Sequence, residues 1–182
     1  MTAYDVSDLD ALLDERMRSI PDWPIEGVVF RDISPVLADP RGLPVIVAAI
    51  RSALEAQGIE VDAVAGIEAR GFVLGAPLAV ELGVGFVPVR KKGKLPGDVL
   101  AQTYDLEYGT ATLEIQADAV RGDHRVVVVD DVLATGGTAR ATVDLIRSTG
   151  AEVAAVVCLL ELEALAGRAA LADVPVIGLR AL

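Results

Sequence analysis

Val126-Val127-Val128-Val129-Asp130-Asp131-Val132-Leu133-Ala134-Thr135-Gly136-Gly137-Thr138 is the stretch that sets the fold of this chain. Four valines in a row have no amphipathic alternation; they match a strand buried on both faces, as parallel strands under helices are. Two carboxylates and a small-residue turn follow, then a helical run to Thr149 closed by Gly150. Ligands of parallel sheets bind at the carboxyl ends of strands, where the next helix offers unpaired N–H groups and a positive dipole end. Ala134–Thr138 could therefore cradle a phosphate: Gly136 and Gly137 let the backbone come close, and Thr135 and Thr138 add hydroxyls. Asp130 and Asp131 could accept hydrogen bonds from a ribose diol. An Asp-Asp pair alone more often just ends a strand; the full thirteen-residue string favours a site. The chain has neither a P-loop nor a Gly-x-Gly-x-x-Gly fingerprint.

Outward from this stretch, strand and helix patterns alternate. Val61–Ile67, Gly85–Val89, Arg125–Val129 and Glu152–Leu160 read as strands, and Val174–Leu179 as an edge strand. Leu43–Gln57, Arg70–Leu82 and Gly136–Thr149 read as helices, each stopped by a glycine. Gln102–Tyr108 and Thr110–Gln116, broken at Gly109, read as an inserted hairpin. A short amphipathic helix opens the chain, with Ser7-x-x-Asp10 as its capping box, Leu9, Leu12, Leu13 and Met17 on one face and Pro21 as its stop. Asp22–Asp39 is too rich in proline for one long element. The prediction is an α/β protein: a central parallel sheet flanked by helices, with a mid-chain loop and hairpin and a small N-terminal cap.

Composition bounds the function. The chain has 182 residues, 53% hydrophobic and 24% charged, which suits one globular domain. Its 16 basic and 27 acidic residues leave a net charge of −11, unfavourable for nonspecific binding to nucleic acid or anionic membranes. An anionic ligand must find locally arranged cations. Cys158 and His124, one of each type, cannot form an internal disulfide or a His/Cys metal site, so a reducing cytoplasm and oxygen-held metals are expected. The longest uncharged stretch, Gly71–Val80, is ten residues, too short to span a bilayer, and the acidic start is no signal peptide. The mean hydropathy of +0.49 fits a buried sheet.

Arg90-Lys91-Lys92-Gly93-Lys94 concentrates four bases in five residues and leads through Pro96 and Gly97 to the hairpin. Polyphosphate is its natural partner, and such a segment could act as a lid that keeps water from an activated sugar.

The Val126–Thr138 string resembles the phosphoribosyl pyrophosphate signature of type I phosphoribosyltransferases. Val29–Pro35, Gly66–Phe72, Arg90–Gly97 and Tyr104–Gly109 occur in the order and rough spacing of the adenine-specific family, from about Ile20 to Leu171. The resemblance implies one domain over 1–182, with residues 1–40 as a hood over the purine and 90–117 as catalytic loop and hairpin. It implies transfer of a phosphoribosyl group from phosphoribosyl pyrophosphate to adenine, giving AMP and pyrophosphate. Magnesium would be carried mainly by pyrophosphate, ribose hydroxyls and water.

By the same resemblance Arg70, Arg90, Lys91 and Lys94 contact pyrophosphate, and Asp130 and Asp131 hold ribose. Ala134–Thr138 takes the 5′-phosphate. Phe30 stacks on the base while the backbone of Val29 and Arg31 reads its edge, and Leu162 is an apolar wall. Glu107 exchanges a proton with a purine nitrogen, and Tyr108 packs beside it. The Glu68-Ala69-Arg70 turn often carries a cis peptide in this family, and the resemblance implies a cytoplasmic homodimer with the segment around Arg90 near the partner's active site.

On composition alone several of these residues have plainer roles. Phe30 would be a core anchor with Arg31 paired to Asp32, Glu107 a solvent-facing hairpin residue, and Leu162 a strand-end core residue. Another purine as acceptor and a ligand-sensing transcription regulator are the alternatives; the latter lacks the basic domain it needs. Trp23, His124 and Cys158 are assigned cap packing, an exposed turn and a small buried strand position, with no chemistry.

Overall fold

The computed structural model of the chain describes residues 6–105 and 109–182. It divides into two compact units, residues 1–52 and 53–182.

In the first unit, α1 (Val6–Arg16) buries Leu9, Leu12 and Leu13, as their spacing predicts. It already contains Ser7, so the expected capping box does not start it. β1 (Arg18–Pro21) and β2 (Val29–Asp32) pair as a two-stranded antiparallel sheet. The opening helix ends at Arg16 rather than at Pro21, so β1 takes the last residues expected to be helical, and β2 lies where the sequence predicts loop. Each strand has four residues and β1 is wholly exposed, so neither carries a hydrophobic alternation. A cross-strand ion pair marks the register instead: Arg18 lies opposite Asp32 and donates to its Oδ2 over 2.5 Å. α2 (Ser34–Ala38) follows, with Pro35 in its first turn.

Hydrogen bonds from Ser34, then from Arg18, draw the Asp32 carboxyl down from 3.8 to about 2. A carboxyl whose pKa falls on folding stabilises above its unfolded value, and that contribution is lost as pH drops from 3.8 towards 2. Asp32→Asn is therefore expected to lower the melting temperature at pH 7. Its gap from the parent should close through that acid window; a constant gap in a pH series of melting curves would contradict it.

α3 (Gly42–Ala56) runs across the division between the units. In the second unit β3 (Ala63–Ile67), α4 (Arg70–Leu82), β4 (Gly85–Lys91), β5 (Val99–Asp105), β6 (Thr110–Gln116), β7 (Arg125–Leu133), α5 (Gly137–Arg147), β8 (Glu152–Glu161) and β9 (Val176–Ala181) follow. They build one seven-stranded sheet in the order β5-β6-β4-β3-β7-β8-β9. The five strands β4, β3, β7, β8 and β9 are parallel, with β9 at the edge as expected, and the β5–β6 hairpin adds antiparallel strands beside β4.

Helices cover both faces. Ala63, Ala65 and Ile67 of β3 share a core with Val143 and Ile146 of α5, while Val64 and Gly66 of the same strand face α4. That second contact depends on glycines. A Cβ on Gly66 would sit 2.7 Å from both the Gly71 carbonyl and the Phe86 ring, so α4 rests directly on β3. β7 runs four residues beyond the predicted Val129, because its pairing with β8 continues through Asp130↔Cys158 and Leu133↔Glu161. Cys158 is buried there, and desolvation raises its thiol to about 12, consistent with a packing role. His124 departs from expectation: it is half-buried, and its Nδ1 has no hydrogen-bond partner. Among the described residues no helix is long and apolar enough to cross a membrane.

Candidate active site

β3 pairs with β7 only as far as Gly66↔Val129, then turns through a cis Glu68–Ala69 peptide into α4 at Arg70. β7 continues without it, and the side it vacates opens beside Asp130 and Asp131. Asp131 is buried and ion-paired with the Nε of half-exposed Arg70, and its amide donates to Asp130 Oδ1 over 2.9 Å. Burial, followed by the Asp131 charge, pushes the Asp130 carboxyl well above its usual range. The two aspartates thus offer one site two different acids, one paired with a cation and one biased towards its neutral form.

After β7 the chain turns at Gly136, which caps α5 in the left-handed region at φ +84°. A Cβ there would meet the Gly167 carbonyl at 2.5 Å, so both its conformation and its space require glycine. The first turn of α5 has no acidic residue and no side-chain cap, leaving its N–H groups for an anion. They border a cavity of about 100 Å³ lined by Thr135, Gly136, Gly137, Thr138 and Asp130. It adjoins a larger one of about 570 Å³, bounded by Glu68, Arg70, Lys91, Tyr104, Asp131 and Thr138.

The basic segment reaches this region through Glu68. Lys94 Nζ donates to Glu68 Oε1 over 2.5 Å, and Arg90 Nε and the Lys91 amide donate to Oε2 over 3.1 and 3.2 Å. These donors, Lys94 first, hold the Glu68 carboxyl below its usual range. Buried Glu114 accepts from the Gly93 amide over 2.8 Å and holds the segment's main chain. Two kinds of anion site therefore flank the aspartates: rigid main-chain donors on one side and cationic side chains on the other.

A phosphoribosyl transferase domain model matches residues 34–175. The adenine phosphoribosyltransferase of Thermobifida fusca is 56% identical over 168 residues, 92% of this chain and 94% of that protein. The chain belongs to the adenine phosphoribosyltransferase family. The crystal structure of the Thermoanaerobacter pseudethanolicus adenine phosphoribosyltransferase has 48% identity and a TM-score of 0.91, over 96% of this chain and 99% of that one. The Saccharomyces cerevisiae enzyme, complexed with adenine and an imino-altritol bisphosphate, has a TM-score of 0.91 at 38% identity, over 95% and 99%.

The other positions marked by likeness to adenine phosphoribosyltransferases are distributed as follows. Val29, Phe30 and Arg31 lie on β2 of the first unit, where Phe30 packs edge-on against Trp23 at 4.4 Å. Arg31 donates to Ser19 Oγ, and it is Arg18 that takes Asp32, contrary to the composition-based pairing. Leu162 follows β8, half-buried, with its amide on the Leu133 carbonyl at the end of β7. Glu107 and Tyr108 lie outside the described residues.

Sequence reasoning passed over Glu68, Glu114 and Tyr104. Glu68 lies within the Gly66–Phe72 motif, whereas the alternation of the hairpin puts Glu114 on the face opposite Leu113 and Ile115, where nothing local marks it as buried. Tyr104 opens the Tyr104–Gly109 motif, but the sequence gives it no role; its hydroxyl lies 3.1 Å from Thr138 Oγ1.

Proposed function

We propose that this protein transfers the 5-phosphoribosyl group from phosphoribosyl pyrophosphate to adenine, releasing AMP and pyrophosphate, in purine salvage. The observation that carries this reading is the placement of the uncapped Ala134–Thr138 turn, the Asp130–Asp131 pair and Arg70 around adjoining cavities, in a chain of this family.

In this reading the turn's amides and the hydroxyls of Thr135 and Thr138 take the 5′-phosphate. Asp130 and Asp131 hold the ribose diol, Asp131 kept in place by Arg70. With the sugar fixed at both ends, its C1′ faces a single direction of attack. The bond from C1′ to pyrophosphate breaks as a purine nitrogen bonds to C1′, through an oxocarbenium-like state. Arg70, Arg90, Lys91 and Lys94 take up the charge that gathers on the departing pyrophosphate. The purine nitrogen gives up its proton as it bonds, and Glu107 is the proposed acceptor, with Tyr108 beside it. Val29, Phe30, Arg31 and Leu162 are the proposed base contacts.

Among the described residues no three His, Cys, Asp or Glu side chains gather into a metal cage, and the acids that line the cavity are Glu68, Asp130 and Asp131. This oxygen-only set fits magnesium carried mainly by the substrate: Asp130 would be the protein group to help hold the ion, which would neutralise pyrophosphate charge. The proposed setting is the cytoplasm and the proposed assembly a homodimer.

AMP formation from adenine and phosphoribosyl pyrophosphate with magnesium, with hypoxanthine and guanine run in parallel, tests the reading. Adenine-selective product is expected. Activity confined to another base would overturn the assignment of Val29–Arg31, and none with any base would overturn the reaction.

A further inference from the structure

The cations assigned above to pyrophosphate already hold an anion. Both Glu68 oxygens are engaged, Oε1 by Lys94 and Oε2 by Arg90 and the Lys91 amide. The Glu68 side chain is only 11% exposed, whereas those of Arg90 and Lys94 are 33% and 47% exposed. Its backbone belongs to the turn that presents Arg70 to the larger cavity. A carboxylate offers guanidinium and ammonium groups the same kind of charged oxygen acceptors as a phosphate.

We propose that Glu68 is an internal anion that competes with pyrophosphate for Arg90 and Lys94, lowering the affinity of the site for it. This rests on the assignment of those cations made under the proposed function. Clustered cations repel one another, and Glu68 gives them a partner and a fixed place. An incoming pyrophosphate takes over the same donors, and Glu68 recovers them as pyrophosphate leaves. Glu114 makes such an exchange of side-chain partners feasible, because it holds the Gly93 main chain independently of Arg90 and Lys94.

The competing role and a merely supporting role predict opposite signs. Removing a like charge a few ångströms from pyrophosphate is expected to tighten its binding by about fivefold. If Glu68 only propped up the loop, losing its charge would weaken binding.

Calorimetric titration of the full-length parent, Glu68→Gln and Glu68→Asp with magnesium pyrophosphate separates the two. Glu68→Gln is expected to bind more tightly, with the gap narrowing as salt is raised. Glu68→Asp, whose carboxylate is drawn back from Lys94, should show a smaller gain of the same sign. It carries the test if Glu68→Gln does not melt like the parent. Equal or weaker binding in the folded variants overturns the proposal alone. A parent that does not bind pyrophosphate overturns the function assigned to the site, and this proposal with it.

Discussion

The double substitution Asp130→Asn/Asp131→Asn is expected to lower kcat/KM for phosphoribosyl pyrophosphate by about 10²–10³-fold, the scale seen when a preorganised group facing developing charge is removed. The fold should survive. Asn has nearly the shape of Asp, β7 keeps its backbone pairing with β8, and the Arg70 released from Asp131 is half-exposed and can turn to water. The loss should therefore appear with little change in melting temperature. It should fall on both kcat and the apparent affinity for the donor, because the aspartates are assigned to positioning the sugar and Asp131 also fixes Arg70. Steady-state kinetics with either substrate varied would check it. A kcat/KM within about threefold of the parent would show that the pair does not hold the ribose.

Gly71→Ala is expected to destabilise the protein by about 1–3 kcal/mol, a drop of roughly 2–12 °C in melting temperature for a chain of this size. In an open helix this exchange favours alanine by up to about 1 kcal/mol, so the expected sign opposes propensity. The reason is space. A Cβ at Gly71 would lie 2.5 Å from the Val129 carbonyl and 3.3 Å from Asp130 Oδ1, and the backbone oxygen cannot swing away as a side chain can. The first turn of α4 must shift off β7, and Arg70, one residue earlier, shifts with it relative to Asp131. Activity is expected to fall by at least about tenfold, since small displacements of positioning groups are costly.

Gly83→Ala provides the contrast. Gly83 ends α4 at φ +70° with nothing within 4 Å of its would-be Cβ, so its cost of about 1 kcal/mol is conformational, and activity should be retained. Parallel thermal melts and assays of the two variants would decide. A Gly71→Ala protein as stable and active as the parent would mean that α4 does not need its close seat.

Much of this molecule is legible because its periodic signals are strong and local. The β-branched run Val126–Val129 matches a doubly buried strand, and the glycines at 58, 83 and 150 follow the helices whose ends they predict. The hairpin at β5–β6 was visible as alternation. β1–β2 was not, because four exposed residues pair through main-chain bonds and one Arg18–Asp32 contact that leave no hydrophobic pattern. The predicted end of β7 at Val129 falls four residues short, because the charges at Asp130 and Asp131 signal a strand end in the sequence whereas backbone pairing with β8 does not depend on side-chain polarity.

The sequence by itself determined the elements of the sheet, the glycine turn that opens α5, and the concentration of cations at residues 90–94, since each depends on neighbours within one turn or strand. Only the tertiary structure decided which charges meet. Arg70 pairs with Asp131 across 61 positions, Lys94 with Glu68 across 26, and Gly93 with Glu114 across 21. Such partners are chosen by where strands end in space and by how closely glycines let a helix approach, and neither quantity is written in local periodicity.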